Sequence, residues 1–259
     1  MNIFKQLIVS LYSPKDISKF RFQGIGKTIL FVFFITLISM LPSFLYLSSA
    51  IIKGIDTSIT TLNEDFPNFE IKDGKLFMDA EKPIEKSKNG FLFIMDDSGN
   101  VTSEDFGKRT NNGFAILHHE FAFVGGGTLQ TYPYSMLEGI EISKSDLSSF
   151  LHDIDNMLVI FLPILGVVTY IFSAGMKFIE ISILAVIGLL VNNSLKRNIS
   201  YRHVWRLTSY SVTLPTVFFT IMALFNTSVV GGIFIHWFVT IVMLYLAIKE
   251  IPKPKKNPA

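Results

Sequence analysis

A chain of 259 residues that is 49% hydrophobic, carries 25 Phe and is only 17% charged is far more apolar than a soluble domain, in which about 25% of residues are charged. The absence of Cys excludes a disulfide scaffold, a zinc–thiolate site, an iron–sulfur cluster and a cysteine nucleophile. The net charge of +2 hides a segregation: residues 53–152 hold 16 of the 21 acids but only 9 of the 23 basic residues. An acidic block between apolar stretches with basic flanks is the pattern of a membrane protein with one long translocated domain.

Residues 1–27 form a basic leader in which Phe4, Leu7, Ile8 and Leu11 fall on one helical face. That spacing predicts a helix, either lying in the inner membrane interface or packed under a bundle. The run Thr28–Ile52 is uncharged and exceeds the roughly 20 residues needed to span about 30 Å of hydrocarbon. It is too long for the apolar region of a signal peptide, so residues 28–52 read as an anchor.

Residues 53–152 read as a β-rich domain of roughly 100 residues, large enough for a core of its own. In FEIKDGKLFM, Asp73-Gly74 between alternating runs predicts a two-residue hairpin. GFLFIMDDSGNVT predicts strand, turn and strand, with the turn at Ser98-Gly99-Asn100. FAILHHEFAFVGGG predicts one extended run ended by glycines. In such a run His118 and His119 would point to opposite faces and could not chelate one ion together. Asp96 to Asn100 lacks the spaced oxygens and closing Glu of a calcium loop. Gly125-Gly126-Gly127 precedes no helix carrying Lys-Ser/Thr, so it reads as a bend rather than a phosphate cradle. SKSDLSSFLHDIDN, capped by Ser143 or Ser145, predicts a helix leading into the membrane.

The membrane part resumes over residues 153–248. The apolar block 157–193 is either two helices meeting near Ser173-Ala174-Gly175 or one long, broken helix. One net crossing gathers the basic residues of the leader, of the loop at 196–206 and of the tail at 249–259 on a single side, which the positive-inside rule favours. Two crossings suit the length of the block better. Residues 207–225 and 229–248 predict a helical hairpin. Pro42, Pro163 and Pro215 lie inside apolar blocks, where proline kinks or interrupts a helix.

Within those blocks Glu180 is the only acid, and an intramembrane ionisable residue is a candidate functional group. Lys177, three positions earlier, can pair with it or snorkel. His236, beside Trp237, suits a proton relay, a ligand contact or an interhelical hydrogen bond. In SLKRNISYRHVWR, the residues Lys196, Arg197, Arg202, Trp205 and Arg206 form a basic–aromatic loop suited to lipid headgroups rather than nucleic acid.

KFRFQGIGKTILF, FIMDDSGNV and YRHVWRLTSYSVTLP together resemble a family of bacterial integral membrane proteins catalogued as a domain of unknown function. Some of its members carry the label maltodextrin-utilisation protein, and the membrane half is similar to the Yip-type multi-span family. The resemblance covers nearly the whole chain. It implies a bacterial plasma-membrane location, no reaction, no catalytic positions, and at most an accessory role in sugar uptake.

The reading is a membrane α-helical bundle, with four net crossings favoured and five possible, and an inserted extracytoplasmic mixed β (α+β) domain. The N-terminus is cytoplasmic. No nucleophile elbow or paired-carboxylate spacing marks an enzyme, and no cofactor is implied. The expected function is a non-enzymatic accessory or sensing protein whose outer domain binds a ligand or a partner, such as a transporter. The alternative is a small transporter or lipid-handling protein.

Overall fold

The computed structural model describes residues 1–80, 82–137 and 139–253; the expected basic tail beyond Lys253, with Lys255 and Lys256, lies outside them. The chain divides into two units, one of residues 1–47 with 163 onward and one of residues 48–162. Among the described residues, four helical stretches are long and apolar enough to cross a membrane: Ile25–Glu64, Lys144–Ser194, Tyr201–Leu224 and Gly232–Lys249.

The first unit opens with α1 (Ile3–Tyr12), whose Asn2 cap accepts from the Lys5 N–H, and α2 (Pro14–Lys19), which has Ser13 as cap and proline in its first turn. A 3₁₀ turn at Phe20–Phe22 leads into α3 (Ile25–Glu64). The leader is packed against the bundle: Val9, Ile17 and Phe20 share a core with Phe31, Tyr210, Leu244 and Ile248. Its orientation is unlike that of a helix in a soluble protein. Gln6 and Ser10 are buried while Phe4 is 61% and Ile8 54% exposed, and Gln6 Oε1 accepts from the Tyr210 hydroxyl at 3.1 Å.

The helix α4 (Ser103–Arg109) belongs to the other unit. The helix that follows it, α5 (Lys144–Ser194), runs for 51 residues, so the block at 157–193 is one helix without the expected break near Gly175. A single internal glycine costs a helix only about 1 kcal/mol relative to Ala and removes no backbone hydrogen bond. Likewise α3 continues through Pro42 and α5 through Pro163.

The expected helix at 207–225 starts earlier and is interrupted. It comprises α6 (Tyr201–Ser211) and α7 (Thr213–Leu224), separated at Val212. Pro215 accounts for the interruption, since it has no N–H for the Ser211 carbonyl and its ring crowds that carbonyl. The last helix, α8 (Gly232–Lys249), follows a connection that includes Gly231 at φ 70°. Gly188 lets α5 approach its neighbours closely, because a Cβ there would lie 2.6 Å from Val204 and 2.7 Å from Leu244.

In the second unit, β1 (Phe69–Lys72) and β2 (Lys75–Met78) pair around Asp73-Gly74. Both turn residues have positive φ, 50° and 74°, as the expected primed hairpin requires. With β8 (Ile142–Ser143) they form a three-stranded sheet of order β2-β1-β8. A second sheet has the order β3-β4-β5-β6-β7, built from β3 (Ile84–Lys88), β4 (Phe91–Met95), β5 (Gly113–Ile116), β6 (Glu120–Gly125) and β7 (Thr128–Pro133).

Two sequence expectations are corrected here. No strand follows Ser98-Gly99-Asn100: the chain enters α4 and returns as β5, parallel to β4. The run around His118-His119 is two strands rather than one, because β5 and β6 pair antiparallel and the histidines sit in the bend between them. Burial on both faces explains the composition of β4. Phe93 and Met95 join the core of Phe69, Leu76, Ile116 and Tyr134, and Leu92 and Ile94 join Phe106, Ala122 and Val124. Lys144 closes α3, its Nζ donating to the carbonyls of Asn63 at 3.2 Å and Phe66 at 2.6 Å, groups that a helix end leaves unpaired.

Candidate functional site

The unbroken α5 places Lys177 and Glu180 one turn apart on the same face. Lys177 Nζ donates to Glu180 Oε2 at 2.8 Å. From α8, His236 Nδ1 stands 2.9 Å from Glu180 Oε1, off the direction of an aligned hydrogen bond, so the contact is one of proximity. The other ring nitrogen, Nε2, lies 3.1 Å from the hydroxyl of Thr216 on α7. The side chains of Lys177, Glu180 and His236 are 14%, 19% and 12% exposed, largely withdrawn from solvent.

Three helices therefore bring together the two polar candidates found in the sequence, the lysine beside the first, and a threonine that sequence reading passed over. Nothing in the local sequence marks Thr216, because its role depends on how α7 is turned toward α8. Lys177, Glu180 and His236 line a cavity of about 870 Å³, within the roughly 300–1,000 Å³ of small-molecule sites. Its walls mix hydroxyls, such as Ser39, Ser43 and Ser173, with Met40, Met176 and Met222. The residues contributed by α7 and α8 come from the ends joined by the loop Asn226–Gly231, so the cavity lies at that end of the unit.

The five basic–aromatic candidates do not converge on one site. Arg197 Nη2 donates to the Lys249 carbonyl at 2.8 Å and Arg206 Nη1 to the Arg21 carbonyl at 2.9 Å. Trp205 donates to Ser182 Oγ at 3.2 Å and stacks on Phe178 at an interplanar angle of 4°. These three tie segments of the helical unit to one another. Lys196 and Arg202 are exposed and remain open to an anionic surface. Arg21, whose guanidinium lies over the Phe22 ring and donates to Ser18, has its pKa lowered by burial.

In the second unit both carboxylate oxygens of Asp96 are taken by its own loop: Oδ1 accepts from Ser98 and Oδ2 from the Val101 N–H at 2.7 Å. His118 and His119 lie edge to face, with centroids 4.2 Å apart, and His119 Nδ1 is 3.1 Å from the Gly74 carbonyl. The Tyr134 hydroxyl donates to the Leu117 carbonyl at 2.8 Å. Burial, then the charge of Glu120, raises its pKa and holds the phenol protonated.

The family model described as "Protein of unknown function (DUF1189)" matches residues 4–248. Neither a curated protein nor a solved structure matches the chain.

Proposed function

We propose that this chain, which belongs to the DUF1189 family, is an integral membrane protein whose helical unit takes a ligand into the cavity at Lys177, Glu180 and His236, as a small transporter or lipid-handling protein. The observation that carries this reading is the convergence of those three ionisable side chains on one cavity. Ionisable groups among apolar helices are costly, which makes them candidates for a substrate or ion pathway.

The membrane setting is supported by four helical stretches long and apolar enough to cross and by α1, which buries Gln6 and Ser10 and turns Phe4 and Ile8 outward. The continuity of α5 favours four crossings, with the leader, the α5–α6 connection and the C-terminal end together on the cytoplasmic side of a bacterial plasma membrane. Lys196 and Arg202 would then face anionic headgroups, and residues 48–162 would lie outside. The cysteine-free chain makes this directly testable with an impermeant thiol reagent. Glu104→Cys should be labelled in intact cells, and Ser194→Cys only after permeabilisation. Labelling of both from outside would mean five crossings; the reverse pattern would invert the protein.

A second reading, an accessory or sensing protein, is favoured by an apolar pocket of about 170 Å³ in residues 48–162, lined by Phe66, Phe93, Phe114 and Phe123. Its link to carbohydrate uptake comes from the resemblance alone. One experiment separates the two. Native mass spectrometry of the protein extracted from its own membranes should detect a bound small molecule or lipid that is lost in a cavity-filled Ser173→Trp variant of unchanged fold. An equal load in both would sink the cavity reading. A stoichiometric protein partner retained by both chains would favour the accessory role.

A further inference from the structure

We infer that the ligand of this cavity is an amphiphilic anion, held at its head by Lys177, and that it binds together with a proton taken up by His236. The inference rests on the cavity reading above and names the chemistry the cavity would accept.

The first argument is a count of donors and acceptors. Glu180 has Oε2 engaged by Lys177 at 2.8 Å and its Oε1 covered by the His236 ring, whose Nδ1 lies 2.9 Å away, so an incoming cation has little access to it and would stand beside the ammonium. Lys177 is different. An ammonium has three N–H donors, and among the described residues Lys177 uses one, on Glu180. Its other two are available to an acceptor in the cavity. Ser173 precedes Lys177 by four residues on α5 and lines the same cavity, so the two lie on the same helical face. Lys177 is thus the charged group of the site with donors to spare, which suits a sulfonate, phosphate or carboxylate head.

The second argument concerns the walls. Around this head site they are built from Met40, Met176, Met222, Phe172, Ile179 and Ile233. A free inorganic anion would leave that surface wetted, whereas an apolar body attached to the head would cover it. Methionine, unbranched and polarizable, adapts to bodies of differing shape.

The third argument is charge balance. With His236 neutral, Lys177 and Glu180 cancel, and an added anion would leave these largely buried side chains with one uncompensated negative charge, which is costly. The charged and titratable groups lining the cavity are Lys177 and Glu180 from α5 and His236 itself; α7 brings Thr216 and the Phe219 ring to the histidine, and α3 brings hydroxyls. The group placed to restore neutrality by taking a proton from solution is therefore His236. Protonated, it donates Nε2–H to Thr216 Oγ1 and turns Nδ1–H to Glu180. That interaction competes with Lys177 for the carboxylate and releases the ammonium toward the ligand.

The test is calorimetric titration of the full chain in phosphatidylcholine nanodiscs, with empty nanodiscs as the blank. The probes are 1-dodecanesulfonate, whose head does not titrate, dodecyltrimethylammonium, dodecanol and methanesulfonate. The sulfonate amphiphile should bind at least tenfold more tightly than the ammonium. Its affinity should rise as pH falls, by up to about tenfold per pH unit, the limit for one linked proton. Lys177→Gln should lose at least tenfold and Lys177→Arg recover it, and His236→Gln should flatten the pH profile.

Equal binding of dodecanol, unchanged in Lys177→Gln, would overturn the anion assignment while leaving the cavity reading intact. Tighter binding of the ammonium would do the same. Methanesulfonate binding as well as the amphiphile would overturn the amphiphilic part, and a flat wild-type profile would overturn the coupled proton. No binding of any probe by a protein that still carries an extracted ligand would overturn this inference alone; no binding and no extracted ligand would overturn both readings.

Discussion

Glu180→Ala should be the most damaging single substitution in the helical unit, costing about 3–5 kcal/mol, the usual result of removing one partner from a buried ion pair. Lys177 and His236, 14% and 12% exposed, converge on that one carboxylate. Without it the Lys177 side chain has no acid beside it in a place where water reaches it poorly, and no other acid lies within an apolar block of the chain. Glu180→Gln should cost less, because the amide oxygen still accepts from Lys177. The double change Lys177→Met with Glu180→Leu should return close to the wild-type stability, since exchanging a whole buried pair for apolar groups of similar volume is often neutral or better. Heat or denaturant unfolding in a mild detergent reads all three variants. If Glu180→Ala unfolds with the wild type, the pair is solvated and the cavity is wetter than its burial indicates. A stable double variant that takes up no ligand would mean that the charges are kept for binding rather than for folding.

The contrast between Glu180 and its partner shows where sequence reasoning stops. An acid in an apolar run is conspicuous because its burial is costly, and so is a histidine in the last run. That they meet depends on the rotation of α5 against α8, which the apolar periodicity of two nearly all-hydrophobic helices leaves undetermined. The Asp73-Gly74 hairpin was legible, since two positive φ angles between alternating runs leave few residue choices. The equivalent turn at Asn89-Gly90, with φ 53° and 81°, was overlooked. The strand before it, Ile84–Lys88, is an edge strand with Glu85, Lys86 and Lys88 and lacks the alternation that identifies a half-buried strand; edges of this kind are kept charged to discourage further pairing.

The helix α4 was missed for a related reason. It is seven polar-rich residues, marked only by Thr102, whose hydroxyl accepts from the Asp105 N–H. The bend at His118-His119 carries neither Gly nor Asn, so nothing local divides its two flanking apolar runs. The long apolar block misleads in the opposite way: Ser173-Ala174-Gly175 suggests a junction of two helices or a break in one, whereas the chain has no local reason to leave the helix there.

In the β-rich unit the corresponding prediction is Gly113→Ala, which should lower the melting temperature of that unit by roughly 10–20 °C, taking about 4–8 °C per kcal/mol for a domain near this size and the upper part of the about 1–3 kcal/mol typical of overpacking. Gly113 opens β5 and is paired in register with Leu92 of the parallel strand β4. A Cβ at that position would overlap the Leu92 carbonyl oxygen and come within 3.0 Å of the Phe106 ring and 3.1 Å of the Thr110 methyl. The obstacle is backbone, so relief requires the two strands to part, and β4 carries side chains of both cores. Gly125→Ala is the matched control. There the Cβ would meet the Phe123 ring at 2.8 Å, but that ring is 42% exposed and can swing away, so the loss should be a small fraction of the first. Thermal unfolding of the full chain, with proteolysis mapping cleavage to residues 84–133, distinguishes the two variants. Equal and small effects would mean that β4 and β5 separate easily and that the parallel pair is not what holds the two cores together.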